Sequence, residues 1–169
     1  MNSSQLDNVS NFLLFDADRN REKVMSMRDI SSKQVSVRTA MARAVVRAKK
    51  STIKMVRENK VPKGDPFPLA KAAAVYAAKN TSQLIPYCHP LLIDFADCEF
   101  VVKNDSIEIT TEVKATYKTG VEMEALTAAA IAALTVYDML KMVDTSIEIE
   151  QVSLLKKTGG KSDYQKLGK

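Results

Sequence analysis

The sequence predicts an α+β sandwich, with helices packed on one face of an antiparallel sheet. Three observations carry this. Residues 107–117 alternate cleanly, Ile107, Ile109, Thr111, Val113, Ala115 and Tyr117 on one face and Glu108, Thr110, Glu112, Lys114 and Thr116 on the other. Asn104-Asp105 before them reads as a hairpin turn. On either side of that hairpin, residues 66–80 and 120–143 repeat apolar positions at helical spacing.

Taken in order, residues 33–57 read as a first helix whose buried stripe is Val37, Ala40, Met41, Ala44, Val45 and Ala48. Asp65 suits an N-cap and Pro66 the first helical position, so a second helix is expected over 66–80. Ile85 to Pro90 is extended, because proline drives its predecessor out of the helical region. A strand follows at 91–102, then the alternating return strand, then a third helix over 120–143. A last strand over 146–155 presents Ile147, Ile149, Val152 and Leu154. The expected order is α-α-β-β-α-β. Residues 1–26 are expected to be a flexible arm, 27–157 a single domain and 158–169 a mobile basic tail.

Composition narrows the class of protein. With 46% hydrophobic and 27% charged residues the chain is globular rather than disordered. Cys88 and Cys98 fit neither a disulfide framework nor a Cys-x-x-Cys metal pair, and the one His makes a protein-only zinc site improbable. The N-terminus is too polar for a signal peptide, and no uninterrupted apolar run reaches the ~18 residues of a membrane span. The expectation is a soluble cytoplasmic protein with no membrane partner.

The net charge of +5 is unevenly spread. Ser32 to Arg57 holds eight basic residues and no acidic one, and Arg43, Arg47, Lys50, Lys54 and Arg57 would share one face of the first helix. A solvated face normally intersperses acids. This one calls for a polyanion: nucleic acid, a nucleotide triphosphate or an acidic protein surface. Lys156, Lys157, Lys161, Lys166 and Lys169 around Thr158-Gly159-Gly160 are placed to close over an anionic ligand.

The third helix is apolar nearly all round. Ala125 to Tyr137 carries no charge, which implies cover on every side and hence a second subunit. Its few ionic residues, Glu122, Glu124, Asp138 and Lys141, must be paired or face a site. Glu124 and Asp138 share a face about 21 Å apart. Antiparallel packing of the helix against its twin near Ile131 would bring Glu124 of one chain toward Asp138 of the other.

Five segments in this order and spacing carry a resemblance: Lys63-Gly64-Asp65, Leu84 to Pro90 (LIPYCHP), Lys118 to Thr127 (KTGVEMEALT), Val136-Tyr137-Asp138-Met139 and Gly159-Gly160-Lys161-Ser162. Together they closely resemble the cyclic pyranopterin monophosphate synthase family of molybdenum cofactor biosynthesis. The resemblance implies a ferredoxin-like α+β fold and a homohexamer built as a trimer of dimers with sites between subunits. It also implies a lyase reaction: a cyclised dihydro-GTP, its ribose already bonded to purine C8, rearranges to cyclic pyranopterin monophosphate with loss of pyrophosphate. The partner is thus a nucleotide-derived triphosphate rather than nucleic acid. No cofactor is demanded, though Mg²⁺ could accompany the triphosphate, and no residue is named as a metal ligand.

By matching position the resemblance makes Asp138 the catalytic residue, and Tyr87, Cys88, His89, Met123 and Glu124 substrate contacts. Lys63, Lys141 and Glu122 match further pocket residues, and Lys79 and Lys157 match phosphate contacts. The chain departs from the family pattern at Tyr87, usually Leu, and at Leu69-Ala70-Lys71-Ala72, which replaces an Arg-containing stretch; Lys71 is the candidate replacement. Ring opening and closure need proton transfers near neutrality, so Lys63 and Lys141 are assigned acid/base roles provided desolvation or nearby cations lower their pKa values. Asp138 then positions Lys141 or takes a proton itself. His89 is expected to face the ligand, and Cys88 to play a packing role.

Overall fold

The computed structural model describes residues 26–166. Most of the arm expected over 1–26, and residues 167–169 of the tail, lie outside the described residues. Five antiparallel strands form one sheet in the order β2-β3-β1-β4-β5: β1 (Ser36–Arg47), β2 (Phe95–Val102), β3 (Ser106–Tyr117), β4 (Glu148–Thr158) and β5 (Tyr164–Gln165). The helices are α1 (Lys50–Arg57), α2 (Pro66–Lys79), the single turn α3 (Thr81–Leu84) and α4 (Glu122–Leu140). With α2 and α4 as crossovers on one face, the core β-α-β-β-α-β connectivity and the strand order are those of a ferredoxin-like sandwich.

The expected order α-α-β-β-α-β is corrected at its first element. Residues 36–47 are the central strand, and only Lys50–Arg57 is helical. Alanine-rich sequence fits both periods: Ala40 and Ala44 satisfy a helical stripe, whereas Ala40, Ala42, Ala44 and Val46 satisfy a strand face. The strand is the one realised, and all four are buried. Ladders on both sides, to β3 and to β4, override alanine's helix propensity. These small side chains let α4 settle closely on β1, and the Thr111 hydroxyl, buried at that contact, donates to the Ala125 carbonyl at 2.8 Å.

The basic helical stripe dissolves with this correction. Arg43 and Arg47 point from the open face of the sheet, and Arg47 is engaged by Glu150 and Asp105. Arg57 donates to the carbonyls of Val102 and Lys103. The N-terminus of α1 is tied down by Asp144, a buried carboxylate accepting from the Lys49 amide at 2.8 Å and the Thr52 hydroxyl at 3.0 Å.

The second helix matches expectation: the Asp65 carboxylate accepts from the Phe67 amide and Pro66 opens the helix. α2 lays Ala70, Ala74, Ala77 and Ala78 inward and lies alongside α4, while Phe67 meets the Phe100 ring with centroids 4.9 Å apart. One flank of α4 is thus covered from within the chain. What remains open is a strip through Thr127, Ile131, Leu134 and Asp138, of which Leu134 is 52% exposed. By length and mean hydropathy, 19 residues and 1.4, α4 could cross a membrane, but half of it is buried as a core helix. Beyond β4 the chain expected to be a tail turns back and pairs Tyr164 and Gln165 with Lys157 and Lys156.

Candidate active site

The side chains singled out by the sequence form two groups at opposite ends of α4. At its C-terminal end Asp138 accepts from Lys63 Nζ at 2.8 Å and from Lys141 Nζ at 2.7 Å, one lysine on each carboxylate oxygen. Lys63 also donates to the Asp138 carbonyl at 2.9 Å, satisfying a backbone acceptor in the last turn. It arrives on the turn Val61–Gly64, whose Gly64 has φ +90 and donates to the Val61 carbonyl. Hydrogen bonds from Lys141 and Lys63 hold the Asp138 carboxyl down at about 2. The same contact raises the Lys141 pKa, the reverse of the lowering that acid/base work would require. Lys141 here is a charged partner of Asp138, because it faces a carboxylate rather than an apolar wall.

At the N-terminal end of α4 the segment after α3 curls over Met123 and Glu124. Tyr87, Cys88, His89, Met123, Glu124 and Glu122 line a cavity of about 200 Å³ together with Arg28, Ile30, Leu91, Thr119 and Gly120. Glu124 is only 3% exposed and its Oε2 has no hydrogen-bond partner among the described residues. Burial, with the Glu122 charge adding to it against a backbone bond, pushes its carboxyl up to about 7. The Cys88 thiol is raised as well, by burial first and by Glu124 second, which suits a packing role rather than thiolate chemistry.

A second cavity, about 220 Å³, adjoins the first through Arg28, Thr119, Gly120 and Glu122. Among the described residues its walls carry five cations, Arg28, Lys33, Arg38, Lys157 and Lys161, against the single acid Glu122. Lys157 donates to Glu122 at 2.7 Å. Partial burial, with Arg28, Lys161 and Arg38 close by, lowers the Lys33 pKa. One wall is the loop after β4. Gly159 (φ +83) lies so close to β1 that a Cβ would sit 1.9 Å from the Val37 carbonyl oxygen, and its own carbonyl accepts from Ser36. Such a cationic bowl has the charge to attract a polyanion.

The structure therefore gathers Tyr87, Cys88, His89, Glu122, Met123, Glu124 and Lys157 at one end, and Lys63, Asp138 and Lys141 at the other. Lys79 belongs to neither group; it lines a shallow groove on α2 with Lys71 and Tyr76. Lys71 is ion-paired to Asp97 at 2.6 Å. Sequence reasoning missed Arg28, Lys33 and Arg38 as site residues. The acid-free basic run from Ser32 held the signal for two of them, but read as a helix it pointed to the wrong members. Among the described residues no group of three or more His, Cys, Asp or Glu could hold a metal ion.

Residues 27–160 match the MoaC family. The chain is 46% identical over 136 residues to the cyclic pyranopterin monophosphate synthase of Aquifex aeolicus, covering 80% of this chain and 54% of that protein. It is 47% identical over 144 residues to the protein of the same name from Listeria welshimeri, covering 85% of this chain and 90% of the other. A third, from Syntrophomonas wolfei, is 47% identical over 147 residues, covering 86% and 94%. The chain thus spans about half the length of the Aquifex protein and nearly all of the other two.

Proposed function

The chain belongs to the MoaC family, and from that premise we propose that it is a lyase of molybdenum cofactor biosynthesis. It converts the cyclised dihydro-GTP to cyclic pyranopterin monophosphate and pyrophosphate. One observation carries this reading beyond the family: a cavity of about 200 Å³ shares a wall with a five-cation bowl. The first takes the purine-derived rings against Cys88, His89 and Met123, and the bowl takes the triphosphate. Glu124, poised near neutrality, exchanges protons with ring nitrogen or oxygen as the imidazole opens and the pyrazine closes. Lys33, Arg38 and Lys161 stabilise charge that grows on departing pyrophosphate. Magnesium arriving with the triphosphate would add to that charge, held by the phosphates themselves.

Asp138, Lys63 and Lys141 complete the site from another copy of the chain. A single chain sets them about 21 Å along α4 from Glu124, too far for one substrate. The uncovered strip on α4 that ends at Asp138 supports a homodimer, and we place that dimer in a cytoplasmic hexamer, a trimer of dimers. Lys79, on the α2 surface, would likewise reach phosphate only from another copy. The deciding experiment is incubation with the cyclised GTP intermediate. Pyrophosphate and a pterin that fluoresces after oxidation are expected, and absence of both overturns the reading.

A further inference from the structure

Among the described residues Arg28 is the one cation that stands where the two cavities meet, and the turn that carries it is pinned. The Ser31 carbonyl accepts from Lys118 Nζ at 3.0 Å, the Ser31 amide donates to the Asp29 carboxylate at 2.8 Å, and the Lys33 amide donates to the Ile30 carbonyl at 3.1 Å. The guanidinium itself is exposed and, among the described residues, makes no hydrogen bond or ion pair. Arg28 is the foremost of the like charges that act on Lys33, and Glu122 shares both cavity walls with it. A bidentate donor held at a junction with its donors unused has the geometry to receive a phosphate there.

We propose that Arg28 binds the phosphate nearest the sugar, the one retained in the product, and so divides the substrate between the cavities. This rests on the functional reading above. With the rings in the first cavity and the two outer phosphates over Lys33, Arg38 and Lys161, the inner phosphorus falls at the shared wall. There a sugar hydroxyl oxygen bonds to phosphorus, the bond from phosphorus to the pyrophosphate oxygen breaks, and the electron pair leaves with pyrophosphate. The hydroxyl proton passes to water. Arg28 stabilises the charge that builds on the non-bridging oxygens between those events.

The test compares Arg28→Ala and Arg28→Lys with Lys33→Ala in the full-length protein. Turnover of the cyclised substrate is measured, and binding of inorganic pyrophosphate and of guanosine monophosphate is measured by calorimetry. Arg28→Ala is expected to lower kcat about a hundredfold and to weaken guanosine monophosphate about tenfold, with pyrophosphate binding within about threefold. Lys33→Ala should do the converse to the two ligands. Arg28→Lys should recover part of the binding and little of kcat, since a point charge replaces a fork. Unchanged monophosphate binding in Arg28→Ala, or pyrophosphate weakened as much as in Lys33→Ala, overturns the assignment. If the wild-type protein yields no product, the functional reading fails, and the two binding measurements still decide the role of Arg28.

Discussion

Glu124 and Asp138 lie on the same helix, about 21 Å apart along its axis, in opposite electrostatic settings. Glu124 is buried, with its Oε2 unpaired among the described residues, and raised to about 7; Asp138 is exposed, clasped by two lysines and lowered to about 2. At neutral pH the first lies close to its pKa and the second stays ionised. A reaction that needs both must draw them from two chains.

Mixed oligomers test that directly. Glu124→Gln and Asp138→Asn should each be inactive alone. Mixed, dissociated and reassociated, they should regain up to about a quarter of wild-type activity per dimer, because some shared sites then carry both native residues. No recovery, with mixed assembly verified by mass, would rule out the shared site.

At the cation clasp, Lys63→Ala and Lys141→Ala should each reduce pyrophosphate release by about a hundredfold or more. These side chains are substantially exposed, so thermal unfolding of the isolated variants should stay close to wild type. Full activity in either variant would remove the clasp from the site.

Stability should depend on pH through Glu124. Its folded pKa of about 7 lies above the unfolded value of 4.5, so the folded state holds the proton more tightly. The associated stability is fully present below about pH 4.5 and lost as pH rises through about 7, amounting to on the order of 3 kcal/mol. Glu124→Gln removes this dependence. Urea unfolding at pH 5 and pH 8 should show the variant gaining on wild type at the higher pH.

Asp144 acts in the opposite direction. Burial pushes its carboxyl up, but hydrogen bonds from Lys49, Ser146 and Thr52 outweigh that and hold it well below the usual range. Its contribution is present above about pH 4 and lost as pH falls. Asp144→Ala should cost about 2–4 kcal/mol at pH 7, since it leaves the Lys49 amide at the head of α1 and the Thr52 hydroxyl without their partner. Asp144→Asn should recover part of it, and urea unfolding reads both.

Gly159 and Gly64 separate two effects of glycine. Both have positive φ, but a Cβ at Gly64 meets open space, whereas at Gly159 it meets the Val37 backbone. Gly64→Ala should cost roughly 1–2 kcal/mol from φ alone. Gly159→Ala should cost more and also weaken pyrophosphate binding about tenfold, because the loop bearing Lys161 must move off β1. Equal unfolding shifts would discount the close contact.

Long segments with one unambiguous period were legible directly. Asp65-Pro66 fixed the start of α2, strict alternation fixed β3, and the uncharged run from Ala125 to Tyr137 marked α4 as a core helix. The family segments pointed to Cys88, His89, Glu124 and Asp138, of which the first three line one cavity and Asp138 pairs with Lys63 and Lys141 at the other end of α4. The alanine-rich stretch before Lys49 fits both a helix and a strand, and only its pairing with β3 and β4 decides between them. That choice settles where the charges go: it breaks the basic stripe, turns Arg47 to Glu150, and brings Lys33 and Arg38 beside Lys161, a residue far along the chain. Local periodicity reports which face a residue occupies within its own element. Which elements lie side by side is set by long-range ladders and packing, and the cationic bowl exists only at that level.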